Sequence, residues 1–124
     1  MPFLEILAPS LSQIARATLA EAVTAGVCTA FAVAPDTVTI YFLDIPPERY
    51  AHAGRTDATE QRIFVKLHAY RREAAARRHA AASLTAAIAH GYDVPADAVA
   101  LYFIDRAQDE VAHGGVLSSD AGQD

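Results

Sequence analysis

The sequence predicts one α/β domain built from two fused βαβ units: a four-stranded sheet with two helices on one face. Three observations carry this. The chain has 124 residues, enough for one small domain or two very small repeated units. Residues 36–55 align without a gap onto 97–116 (97 − 36 = 61), with eight of twenty positions identical, among them Tyr41/Tyr102, Asp44/Asp105, His52/His113 and Gly54/Gly115. The same offset carries Pro2 onto Ile63 and Phe3 onto Phe64, the heads of two apolar segments. Finally, short segments rich in β-branched or aromatic residues alternate with two long alanine-rich stretches, in the order strand, helix, strand, twice over.

Each element has its own signal. The first strand is expected over Phe3 to Leu7. Ser10 followed by Gln13 has the form of a capping box. Behind it Leu11, Ile14, Ala15, Leu19, Val23, Val27 and Phe31 mark one helical face, and Pro35 ends the pattern, the helix stopping two or three residues before it. The second strand is expected over Val38 to Leu43 and the third over Ile63 to His68. A second helix runs from about Arg72 to His90, with Ala80, Leu84, Ala87 and Ile88 on one face and Gly91 as a left-handed C-terminal cap. The fourth strand covers Val99 to Ile104. Each crossover helix lets its flanking strands pair in parallel with a right-handed connection. The sheet's other face, carrying residues such as Tyr41 or Phe42, needs cover, which predicts oligomerisation. The domain spans 1–116, with repeats at about 2–55 and 63–116. The small, polar and acidic tail from Leu117 to Asp124 is expected to be poorly ordered.

Composition narrows the function classes. With 52% hydrophobic and 20% charged residues the chain is not disordered. A formal charge of −5 argues against a nucleic-acid partner. No uninterrupted apolar run approaches the roughly 18 residues of a membrane span, and no leader is evident. Cys28, the single cysteine, has no intramolecular disulfide partner and is expected to be a buried helix residue; no Cys/His cluster has zinc spacing. A cytoplasmic protein without a structural metal is the expectation.

Proline directly after the initiator Met, opening a short strand that leads into helix, strand and a turn ending in glycine, resembles the tautomerase superfamily. That group includes 4-oxalocrotonate tautomerase, macrophage migration inhibitory factor, malonate semialdehyde decarboxylase and cis-3-chloroacrylic acid dehalogenase. The resemblance covers residues 2 to about 116 and is strongest to the fused two-repeat branch, in which three chains associate. It implies a homotrimeric, cofactor-independent enzyme acting on a small carboxylate, with Pro2 as the N-terminal residue after loss of Met1 and its secondary amine as general base. The chemistry is reasonable in itself, since an amine kept partly neutral by burial or nearby cations accepts protons near pH 7. With Met1 retained, Pro2 nitrogen is an amide without basicity.

The remaining site residues follow from the same resemblance. Arg71 and Arg72, in the loop after the third strand, resemble the family's carboxylate-binding arginines, although the usual Gly-Arg-Ser sequence is absent. A guanidinium fork matches a carboxylate bidentately. Arg77 and Arg78, further along, read as a solvated helix face. Tyr102 resembles a tyrosine that fused members place in the site from a neighbouring subunit, where its hydroxyl stabilises enolate charge. An interface packing role is the competing reading; Tyr41, its repeat partner, reads as structural. His52 and His113 occupy equivalent turns, which favours a shared turn role over proton transfer, and the side of the sheet that His68 faces is left open. His113 stands where dehalogenases carry an acidic residue, and Val27 near where the cis-specific enzyme has an assisting histidine, so hydratase or dehalogenase activity is disfavoured. Asp36 lies one position short of the decarboxylase aspartate, with Asp97 its repeat partner. The expected activity is tautomerisation of a small 2-keto acid or 2-hydroxydienoate; the alternatives are a malonate semialdehyde decarboxylase-like or hydratase activity, and a non-catalytic trimeric interaction protein.

Overall fold

A computed structural model describes residues 1–57 and 59–121. Four strands form the main sheet: β1 (Phe3–Ala8), β2 (Thr39–Asp44), β3 (Ile63–Tyr70) and β4 (Val99–Arg106). Helix α1 (Gln13–Phe31) joins β1 to β2, and α2 (Ala74–Tyr92) joins β3 to β4. The sheet order is β2-β1-β3-β4; each βαβ unit pairs its own strands in parallel, and the units meet through the antiparallel β1–β3 pair. The register pairs Phe3 with His68 and Ile6 with Val65, so the two first strands cross near their middles.

Alternation along β1 and β3 puts Leu4, Ile6, Ile63, Val65 and Leu67 on the helix side, where all are buried. Leu19, Val23 and Val27 of α1 and Leu84 and Ile88 of α2 close over them. Each fully buried aliphatic side chain of this kind contributes about 1.5–3 kcal/mol. By length and composition α1 could cross a membrane, but here its apolar stripe is the roof of the core.

The helices differ from expectation at Ser12, Ile14 and Gly91. Ser12, not Ser10, caps α1, its hydroxyl accepting from Ala15 N–H at 3.1 Å. Ile14, five residues before Leu19 and so about 140° round the helix from the buried stripe, turns outward and is 82% exposed. Gly91 lies inside α2; the left-handed cap is Asp93, at φ 56°, matching Ala32 at the end of α1, also at φ 56°. Gly91 serves close approach instead, since a Cβ there would lie 3.1 Å from Leu19 Cδ1. Gly26 faces a tighter gap, 2.9 Å to Leu84 Cδ2.

The face away from the helices carries Phe3, Tyr41, Phe64 and Tyr102, all at least a third exposed in the single chain. Tyr41 is on this face as expected, whereas Phe42 packs toward the core. Phe64 stacks on Tyr102 with centroids 6.1 Å apart, and Phe3 on His68 at 4.1 Å. His68 therefore lies on the bare face, its Nε2 2.6 Å from Glu5 Oε2.

Beyond β4, β5 (Ala112–His113) and β6 (Val116–Leu117) form a hairpin with Gly114 and Gly115 at positive φ, and Ser118–Asp120 make a further turn. Ala53 and Gly54 make the corresponding turn between His52 and Arg55 in the first unit. Of the tail from Leu117, residues 117–121 are therefore held by the hairpin and turn. Ser118 N–H donates to Val111 O at 2.8 Å. Residues 122–124 lie outside the described residues.

Candidate active site

Pro2 is buried immediately before β1, and its carbonyl accepts from Thr39 N–H at 3.2 Å, which ties the strand's head to the next strand. It forms part of a cleft of about 530 Å³ whose other walls include Met1, Val33, Tyr70, Arg72 and His113. Those residues come from the end of α1, the end of β3 and the C-terminal hairpin. The cleft is thus a product of all three segments.

Arg72 is the cation of this cleft. Its Nη1 donates to Tyr70 O at 2.8 Å, and its guanidinium carbon lies 4.7 Å from the centroid of the Phe31 ring. The aromatic face and the carbonyl fix the fork in place, half-buried. Its charge reaches the N-terminus: burial first, then Arg72, hold the Met1 ammonium below its ordinary range.

Arg71 points elsewhere. It is exposed, and its Nη1 lies 2.7 Å from Asp105 Oδ2. Arg77, expected on a solvated face, is half-buried and reaches the same carboxylate oxygen at 3.6 Å. Asp105 thus gathers two arginines at the α2–β4 edge while Arg72 alone turns to Pro2.

Tyr102 is on the bare face of β4, 53% exposed, and does not line the Pro2 cleft of its own chain. His113 does line it, and His52 lines the equivalent cleft of the other unit. Asp36 is an exposed residue of the turn Pro35–Thr37, whose Thr37 rather than Asp36 lines the cleft; its repeat partner Asp97 is in the matching turn. Cys28 is a free, half-buried thiol of α1. Among the described residues no three His, Cys, Asp or Glu side chains are grouped as a metal site.

Two lining residues were missed in the sequence. Tyr70 ends β3, and its hydroxyl donates to Ser118 Oγ at 2.6 Å. Ser118 falls in what reads as a polar tail, and nothing local signals a partner 48 residues away. Tyr70 had a weak signal, its place directly before the two arginines.

A buried N-terminal position, a held guanidinium and an aromatic wall form a pocket suited to a small carboxylate beside an amine of lowered basicity.

No family model and no curated protein matches the chain. Solved structures do. The chain is similar to a fused 4-OT that forms an asymmetric trimer, at 19% identity and TM-score 0.91, covering 98% of this chain and 99% of that one. A protein inactivated by 2-oxo-3-pentynoate matches at 17% identity and TM-score 0.88 over the same shares. A member of the cis-3-chloroacrylic acid dehalogenase family matches at 18% identity and TM-score 0.80, covering 93% of this chain and 82% of that one. With two βαβ units in one chain and this overlap along almost its whole length, the protein has the fused two-repeat fold of the tautomerase superfamily.

Proposed function

We propose that the protein is a cofactor-independent keto–enol tautomerase that acts on a small 2-keto acid or 2-hydroxydienoate as a homotrimer. After removal of Met1, the Pro2 secondary amine takes a proton from one atom of the substrate, a carbon of the 2-keto acid or the enol oxygen of the 2-hydroxydienoate, and returns it to another atom of the conjugated system. Arg72 holds the carboxylate. Tyr102 of a neighbouring chain polarises the carbonyl, because in a single chain it is remote from the cleft and lies on the face that association would cover. Arg71 steadies the loop through Asp105 and is the weaker candidate for substrate contact. Fixed cations and donors suffice to stabilise a developing enolate.

One observation carries the reading: Pro2 and Arg72 share a cleft in which an amine already has lowered basicity. Removal of Met1 puts the free amine on Pro2, which is itself buried and lines the same cleft as Arg72. The trimeric state of the fused 4-OT supports the assembly.

The test compares the protein beginning at Pro2 with one carrying an uncleavable extension. General base catalysis contributes about 10²–10⁴-fold, so the extended protein should lose activity of that order while light scattering still gives about three times 13.2 kDa. Equal rates from both proteins would remove Pro2 from the mechanism. A monomer at micromolar concentration would remove the Tyr102 role. Mass spectrometry showing Met1 retained in the native protein would favour the non-catalytic interaction module.

A further inference from the structure

The far wall of the Pro2 cleft is made by the turn after the C-terminal hairpin, where Ser118 and Ala121 face the cavity. One side chain fastens that wall to the catalytic side. Tyr70 reaches across from the end of β3, and its half-buried hydroxyl donates to Ser118 Oγ at 2.6 Å. The backbone of Tyr70 does a second job, since its carbonyl accepts from Arg72 Nη1 at 2.8 Å. A single residue thus positions both the guanidinium and the opposing wall. The distance between the carboxylate-binding fork and the turn is set by one tyrosine.

We propose that Tyr70, through its hydrogen bond to Ser118, is a specificity-determining residue of this cleft, favouring 2-keto acids with short chains over those with an aryl group. The proposal rests on the tautomerase reading for the identity of the bound carboxylate. Its physical content is a wall tied in place by one side chain. With the carboxylate on Arg72 and the reacting carbon at Pro2, the substituent beyond that carbon has to fit against the Tyr70–Ser118 bond. The turn is otherwise held by the Ser118 N–H to Val111 O bond and by the short β5–β6 hairpin. Without the phenol's hydrogen bond it moves outward more easily, while the Tyr70 carbonyl and the Phe31 ring keep Arg72 in place. A neutral hydrogen bond of this kind biases such an equilibrium by roughly two- to tenfold.

The experiment uses the full chain with a free Pro2, as wild type, Tyr70→Phe, Ser118→Ala and the double variant. Each is assayed on a five-carbon 2-hydroxydienoate and on phenylenolpyruvate. Both single variants should raise the phenylenolpyruvate to dienoate ratio of kcat/KM by about two- to tenfold, and the double variant should go no further than either single. An unchanged ratio overturns the proposal. So does a loss on both substrates in Tyr70→Phe that Ser118→Ala does not share, because the phenol would then be touching substrate rather than holding the wall. Titration calorimetry with propionate and 3-phenylpropionate gives the same ratio as affinities. If the wild type turns over neither substrate, the tautomerase reading falls alone, and the affinity ratio still decides the role of Tyr70: a rise in both variants supports it and no rise overturns it.

Discussion

The cleft at the head of β1 and the cleft at the head of β3 are built from matching parts. Val33, Thr37 and His113 line the first; Val94, Ala98 and His52, each related by the 61-residue offset, line the second. The second is the larger, about 610 Å³ against about 530 Å³. Size does not separate them; equipment does. Where the first cleft has Pro2, the repeat has Ile63, whose nitrogen is an amide in mid-chain whatever happens at the terminus. Where the first has Arg72 stacked on Phe31, the matching pair is Leu11 and Tyr92. Tyr70 corresponds to Pro9, which has no hydroxyl to fasten a wall. Duplication supplied the geometry twice, and a handful of side chains confines the proposed chemistry to one copy.

Breaking that asymmetry gives the largest expected effect. Arg72→Leu copies the second cleft's residue into the first and should lower kcat/KM for a carboxylate substrate by about ten- to a hundredfold, the worth of a lost hydrogen bond to a charged group. Arg71→Leu, which loses only an exposed pair with Asp105, should cost less than about threefold. Arg72→Leu also removes a positive charge near the amine, so the amine's pKa rises and the acidic limb of the pH–rate profile moves to higher pH. Similar losses in both variants, or no movement of that limb in Arg72→Leu, would dissolve the distinction between the two arginines.

A smaller effect separates the two points where α1 and α2 approach each other. Gly26→Ala and Gly91→Ala both gain about 1 kcal/mol of helix propensity. At Gly26 the added methyl lies 2.9 Å from Leu84 Cδ2, in the wholly buried core, and overpacking of that kind costs about 1–3 kcal/mol. At Gly91 the nearest atom, Leu19 Cδ1, is 3.1 Å away, so the equally buried leucine has to give by less than at Gly26. Chemical denaturation should show Gly26→Ala destabilised and Gly91→Ala close to neutral. The reverse order would mean that the helices do not pack as described.

How much of this could be read from the letters depends on range. The repeat and the alternation of Leu4, Ile6, Val65 and Leu67 were legible because period and identity are local. The start of α1 was misplaced by two residues because Ser10 and Ser12 both offer a hydroxyl and only the backbone chooses. Gly91 read as a cap because glycine has two uses, and the close pass of Leu19 belongs to the other helix. Arg71 and Arg72 were indistinguishable in sequence, since what divides them is an aspartate 34 residues on and a phenylalanine in α1. Ser118 was invisible for the same reason: its order comes from Tyr70 and Val111, not from its neighbours.

The smallest effect concerns Tyr92, which stands where its repeat partner has Phe31 beneath Arg72. Burial, reinforced by the nearby Asp44 carboxylate and only partly opposed by Arg16, pushes the Tyr92 phenol up to about 12. Its folded pKa is therefore above the ordinary tyrosine value, which fixes the sign of the linkage. Below pH 10 folded and unfolded chains both carry the proton and the contribution to stability is whole. As pH rises from there toward 12 the unfolded chain ionises first, and the contribution is lost. Because the ring is only half-buried, solvent screening holds the effect to under about 1 kcal/mol. Urea midpoints at pH 9 and pH 11 should fall further for the wild type than for Tyr92→Phe, which lacks the group. Tyrosinate absorbance should lose its highest-pH step, near 12, in that variant. Parallel declines and an unchanged absorbance titration would mean that Tyr92 is as freely solvated as a surface phenol, and that the α2–β2 corner is looser than its Phe31 counterpart.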